Sequence, residues 1–286
     1  MRRLGKHVVI ILVTVLLGGL LGATLIRFAP GYGVDEQEMD ARLSSGSIEA
    51  LRHANVTDEN VFVFYGHYIK RMVHGDLGTS RTLQRPIAEL LRERLPDTMK
   101  SVGLGVLLGW ILGLALAIPV AMSRAWLVDT FASVIAGILL CIPVAVLALL
   151  FVLTRAPSRL VIPLIVFPKI FRYARNLLVR SAALPHVVTA RAKGLSHVRV
   201  FLWHVLPTTG TQLLALAGVS VSLAFGASIP VEVLCDLPGI GQLAWKAALG
   251  RDLYLLINLT MIVTVVTMAA NSASDLLGGA FRRSEA

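Results

Sequence analysis

The chain reads as long uncharged apolar runs separated by short polar stretches. Residues 7–26, 101–123, 130–154, 207–231 and 253–274 each lack Asp, Glu, Lys and Arg. A helix that crosses a bilayer needs about 20 apolar residues, so each run predicts one transmembrane helix. A cleaved signal peptide has an apolar core of about 7–15 residues; the run 7–26 is longer, with no clear small-x-small site, and is expected to be retained. Pro119, Pro143 and Pro230 lie within or at the ends of these runs and predict kinks, because proline removes a backbone hydrogen bond. Gly105, Gly109 and Gly113 fall on one face of the second helix, where small residues admit close helix packing.

A sixth span, 159–181, is weak because Lys169, Arg172, Arg175 and Arg180 interrupt it. Charge settles whether it crosses. From Thr130 to Val231 there is no acid, while Arg155, Arg159, the four bases just named, Arg191, Lys193 and Arg199 are all present. Positive residues near helix ends favour the cytoplasm. If 159–181 did not cross, the most basic stretch would lie outside. The expected architecture is therefore an all-α polytopic membrane protein with six transmembrane helices and both termini cytoplasmic. Lys169, Arg172 and Arg175 either snorkel to the interface or line a pathway; the sequence leaves both open.

Residues 29–97 are a different material, with 11 of the 17 acids against 8 bases. They predict an extracytoplasmic loop with short helices around 47–52 and 59–73. Gly75 and Gly78 on either side of Asp76 read as tight turns. The organisation is then 1–28 (tail and first helix), 29–97 (outer loop) and 98–286 (five-helix core). Overall, 56% of the 286 residues are hydrophobic and 15% charged, with a mean hydropathy of +0.74. That composition excludes a soluble domain. The net charge of +10 is distributed around apolar spans and does not mark a nucleic-acid surface. Cys141 and Cys235 lie in or at the end of apolar runs and predict neither disulfide nor metal site.

The stretch 187–207 stands out between two apolar runs. Gly194 divides it into two helical pieces, and Ser196 is placed to N-cap the second. Val198, Phe201, Leu202 and Val205 follow at i, i+3, i+4 and i+7, one apolar stripe, and Leu206-Pro207 is expected to end the run. Such a stretch suits docking of a soluble partner.

Ala190, Gly194 four residues later, and Leu206-Pro207 twelve and thirteen residues after the glycine resemble the cytoplasmic coupling loop of ABC importer permeases. The form TARAKGLS, with Ala190, Arg191, Lys193, Gly194 and Ser196, resembles the peptide/nickel permease branch. The loop's usual Glu is absent; Val188 stands six residues before Gly194. Tyr68, Gly75-Asp76-Leu77-Gly78, Ser80, Arg85-Pro86, Arg94-Leu95-Pro96 and Thr98 are similar to that branch as well. So are Glu232 before Pro238-Gly239-Ile240-Gly241, and Arg251-Asp252 with Tyr254. The resemblance implies the type I importer permease fold in a bacterial inner membrane. It implies a second homologous permease subunit, two cytoplasmic ABC ATPase subunits and an extracytoplasmic solute-binding protein. Short peptides or a similar small solute would pass through half a pathway supplied by this chain. Two departures are a very short link at 155–158 and a tail without the branch's Asp-Pro-Arg ending.

Other chemistry is missing from the sequence. There is no G-x-x-x-x-G-K-[ST] phosphate loop and no H-E-x-x-H zinc helix. Pro238–Gly241 follows no strand, so its Gly-x-Gly is not a dinucleotide turn. His197 and His204 read as surface residues of the coupling stretch. No cofactor is expected, and the chain reads as a transport subunit whose energy comes from partner ATPases. Glu232, Asp252 and Asp275 lie only at span edges, which argues against a proton-driven carrier. Glu232 either caps locally or faces the pathway. The runner-up readings are a non-transport membrane scaffold that recruits a partner through the basic loop, and then an intramembrane enzyme.

Overall fold

A computed structural model of the chain describes residues 2–27, 61–123 and 126–284. The helix expected at 47–52 lies outside the described residues. The elements are α1 (Arg2–Arg27), α2 (Val61–Val73), α3 (Ile87–Ser123), α4 (Trp126–Cys141), α5 (Val144–Leu153), α6 (Val161–Ala182), α7 (Pro185–Ala192), α8 (His197–Val200), a π turn (Phe201–Val205), α9 (Leu206–Leu234), α10 (Ile240–Leu249) and α11 (Leu253–Ser284). No strand occurs among the described residues.

Among the described residues, four helical stretches are long and apolar enough to cross a membrane: Gly5–Leu25, Ile87–Met122, His197–Leu234 and Leu253–Gly279. The expected span 130–154 is broken. α4 and α5 meet at a bend of 93° around Ile142-Pro143, far more than a proline kink in a continuous helix. Pro143 has extended backbone and is the N-cap of α5. α6, the weak span, is a continuous helix of 22 residues, about 33 Å at 1.5 Å per residue. Its charges interrupt its apolar character, but its other faces are buried from Val161 to Ala182.

Two compact units divide the chain, 1–91 with 246–264 and 92–245 with 265–286. In the first, α1 runs antiparallel to α11, since Gly18 faces Thr264 and Gly22 faces Thr260. α2 packs on them through Tyr65 and Tyr68, and the Tyr65 hydroxyl donates to Leu16 O at 2.8 Å. α11 starts at an N-cap: Asp252 Oδ1 accepts from Leu255 N at 3.1 Å, and Oδ2 accepts from Ser80 Oγ at 2.6 Å and Thr82 N at 3.1 Å. One buried carboxylate therefore starts a helix and holds the turn at 80–82.

In the second unit α6 is central. A Cβ on Gly105, Gly109 or Gly113 would meet Ile162, Val166 or Ile170 respectively. The contacts advance by four residues on both helices in the same direction, so α3 and α6 run parallel. Two parallel crossing helices require the segment between them to cross back. The broken pair α4–α5 is apolar enough to count as a fifth span between them, and with α6 the parallel order of α3 and α6 matches the six-helix expectation. α9 runs antiparallel to α11, with Gly218 against Asn271 and Gly278 against Thr211. The helix of the second span begins at Ile87, well before residue 101, and carries Pro96 within it.

Candidate coupling surface and helix-end site

Helix α7 starts with Pro185 at its first turn, where a missing N–H costs nothing. It ends in a left-handed glycine: Gly194 has φ +75°. Gly194 N donates to Arg191 O at 2.9 Å, and Leu195 N donates to Ala190 O at 3.4 Å. This is the Schellman closure, and it explains the four-residue spacing of Ala190 and Gly194. Ala190 is buried, with Leu195 packed against the same cluster. Ser196 then N-caps α8, its Oγ accepting from Arg199 N at 3.4 Å.

The second piece departs from its expected form. After one turn of α-helix the chain makes the π turn 201–205 and continues without a break into α9, with Leu206 and Pro207 in that helix's first turn. Leu206-Pro207 therefore opens a helix and does not end one. The wider turn also changes which residues point inward. Val200 and Val205 are buried, Phe201 half-buried, while Val198 is 62% exposed, Leu202 48% and Trp203 74%. The predicted stripe assumed 3.6 residues per turn, which a π turn does not keep. The Val205 carbonyl accepts from Ser181 Oγ (3.3 Å), Thr208 Oγ1 (2.8 Å) and Thr209 Oγ1 (3.3 Å). Inward, Val187, Ala190, Val200 and Val205 share a core with Phe171, Ala174 and Leu178 of α6. Outward lie Val188, Val198, Leu202, Lys193 and Arg199, all exposed; Arg191 is half-buried.

Of the bases on α6, Lys169 and Arg172 are exposed. Arg175 forms a bidentate pair with Asp129 of α4, Nε to Oδ1 at 2.8 Å and Nη2 to Oδ2, a partner on a separate helix that nothing in the spacing marks. A cavity of about 780 Å³ opens between α3, α9 and α11, walled by Val102, Val106, Leu213, Leu214, Ala217 and Val221 among others. Lys169, Arg172 and Glu232 are not among its walls.

Glu232 is 2% exposed. Its Oε1 accepts from Thr98 Oγ1 at 2.7 Å, and its Oε2 accepts from Gly241 N at 2.7 Å. Thr98 Oγ1 in turn accepts from Ile240 N at 2.9 Å. Glu232 and Thr98 thus cap the start of α10 from two other helices. The glycines of Pro238-Gly239-Ile240-Gly241 are needed for that approach. A Cβ on Gly239 would stand 2.3 Å from the Glu232 carboxyl carbon, and one on Gly241 2.7 Å from Ile229 Cα.

In the turn after α2, Gly75 and Gly78 have φ +84° and +80°. Asp76 Oδ1 accepts from Gly78 N at 2.8 Å, and Oδ2 from Arg71 Nε at 2.9 Å. The Arg71 hydrogen bond, and then that from Gly78 N, hold the Asp76 carboxyl below the usual carboxylate range. Sequence reasoning placed Thr98, Ser80 and Asp252 in motifs without roles. Asp252 could have been read as an N-cap before an apolar run, whereas Thr98 carried no local signal.

Residues 105–285 match the family described as binding-protein-dependent transport system inner membrane component. The chain belongs to that family. It is 27% identical over 296 residues to the oligopeptide transport system permease protein AppB of Bacillus subtilis, covering 90% of this chain and 92% of the relative. It is 24% identical over 291 residues to the dipeptide transport system permease protein DppB of Lactococcus lactis, covering 95% of each. A structure of the MetNI methionine ABC transporter in inward-facing conformations aligns with a TM-score of 0.59 at 18% identity, over 67% of this chain and 96% of the other. This inner-membrane component therefore has the type I ABC importer permease fold and is a multi-pass transport subunit. Family membership leaves the scaffold and intramembrane-enzyme readings without support.

Proposed function

We propose that this inner-membrane component is the permease subunit of an ATP-driven importer of short peptides. It forms half of the translocation pathway with a second permease and works with two cytoplasmic ATPase subunits and an extracytoplasmic binding protein. The carrying observation is the build of 187–207: a stretch anchored inward by Val187, Ala190, Val200 and Val205 that leaves Val198, Leu202 and Trp203 exposed. Such an element transmits force from a docked partner into α6 and, through the π turn, into α9. Ala190, Arg191, Lys193, Gly194, Ser196, Leu206 and Pro207 form or shape it. Closure of the ATPases on ATP biases a bistable bundle between inward and outward openings. The α3–α9–α11 cavity is this chain's share of the pathway; Glu232, committed to α10, shapes its frame. The names of the similar permeases support peptides as the solute.

The basic run 155–199, the antiparallel pairing of α1 with α11 and the parallel pairing of α3 with α6 support an orientation with both termini and 187–207 in the cytoplasm, and Gly75–Gly78 and Pro238–Gly241 outside. In a variant lacking Cys141 and Cys235, a cysteine at exposed Arg81 should react with an impermeant reagent in intact cells, and one at Ser196 only after lysis. Function is tested by uptake of labelled di- to oligopeptides in cells lacking the gene, restored by the gene in trans. Intact peptide uptake with loss of a different solute would replace the substrate while leaving the transport reading in place.

A further inference from the structure

The outward side of 187–207 has a chemistry of its own. Lys193 and Arg199 are exposed, and no acid lies anywhere between Thr130 and Val231 to offset them. Beside them are two aliphatic side chains four residues apart, Val198 at 62% and Leu202 at 48% exposure. That i, i+4 pair sits on a corner fixed by the Gly194 turn and the Ser196 cap. Exposed aliphatic groups at helical spacing are the anchors of a helix laid into a groove. Among the described residues no Asp or Glu pairs with Lys193 or Arg199, and Asp129 of α4 is already taken by Arg175, so carboxylates that neutralise these two bases are expected from the partner. Charge alone would also suit anionic lipid headgroups, but a rigid, capped corner that presents aliphatic anchors between its bases fits a protein groove better.

Resting on the reading of 187–207 as the coupling loop, we infer that the ATPase face receiving it has an apolar floor and an acidic rim. Val198 and Leu202 enter the floor, and Lys193 and Arg199 pair with Asp or Glu side chains of the rim.

The test uses the whole transporter in neutral phosphatidylcholine vesicles. Carbodiimide, which joins an amine to a carboxylate with loss of water, should link Lys193 to an Asp or Glu of the ATPase, mapped by mass spectrometry. Lys193→Arg keeps the charge but should lose the link while retaining the ATPase. Lys193→Glu with Arg199→Glu should lower ATPase retention on tagged permease by about tenfold and flatten its salt dependence. Val198→Ser with Leu202→Ser should lower retention at every salt concentration. If the apolar variant releases the ATPase but no link forms and the charge reversal is harmless, docking stands and the acidic rim is refuted. If the reversal matters only when anionic phosphatidylglycerol is added, the bases serve the bilayer and the inference is equally overturned. If no variant changes retention, 187–207 is not the docking element and the underlying reading fails instead.

Discussion

Glu232 and Gly241 are joined by a 2.7 Å hydrogen bond from the glycine N–H to the carboxylate, nine residues apart in sequence and buried. The contact starts α10 with a side chain from the end of α9. Glu232→Ala should leave the N–H of Gly241 buried without an acceptor, at about 1–3 kcal/mol. Glu232→Gln keeps one acceptor oxygen and should lose less. Gly239→Ala should resemble Glu232→Ala, because its Cβ would collide with the same carboxylate. Thermal unfolding in detergent ranks the three. A Gly239→Ala protein as stable as wild type would show that the close approach is not maintained.

The α3–α6 contact predicts an order among four glycines on one helix. A Cβ at Gly105 or Gly113 would stand 2.4 or 2.7 Å from the nearest isoleucine carbon, at Gly109 3.2 Å from valine, and at Gly103 near nothing within 4 Å. Alanine at 105 or 113 should destabilise by about 1–3 kcal/mol through overpacking. At 109 the loss should be smaller, and at 103 slight or even a gain from better helix propensity. Melting temperatures of the four single variants check the order. Equal effects at 103 and 105 would contradict the parallel packing.

Gly194 has a left-handed φ, yet a Cβ there would meet nothing within 4 Å in this chain. Damage from Gly194→Val must therefore come from backbone strain, about 1–2 kcal/mol, and from whatever docks against the corner. Membrane insertion should persist, while ATPase co-purification and peptide uptake fall steeply. Gly194→Asn, which tolerates the left-handed region, should keep more of both. Leu206→Ala should be milder than Gly194→Val, since Leu206 is only half-buried. Normal uptake with Gly194→Val would remove the turn from the coupling argument.

The Gly75–Gly78 turn should respond to acid. The carboxyl of Asp76 is held low by Arg71 first and Gly78 N second, so the folded turn binds its proton less readily than the unfolded one. Its contribution is present above the ordinary carboxylate range and is lost as pH falls through the lowered value. Protection of the Gly78 amide, corrected for intrinsic exchange, should fall with acidification. In Asp76→Ala, which removes the acceptor, it should be low at every pH. An unchanged profile in that variant would assign the protection to the glycine backbone alone.

The sequence by itself determined the apolar spans, because burial in lipid demands continuous uncharged runs that no other environment requires. Its charge asymmetry also carries the expectation for the side of the weak span, since positive residues near helix ends add along the chain. The Gly194 turn and the Ser196 cap were legible for the same kind of reason: both are closed by backbone groups within five residues. Only the tertiary structure decided that the span 130–154 breaks at Pro143, that the helix begun at Ile87 passes through Pro96, and that a π turn carries the stretch 187–207 into α9. A π turn costs or gains its energy from what satisfies its carbonyls, here Ser181 from α6 and Thr208 and Thr209 of α9, and periodicity cannot foresee donors from another helix. The same holds for Glu232: its local sequence permits a cap or a pathway role, and the capping arrangement takes its second donor from Thr98, 134 residues away, beside Gly241 N.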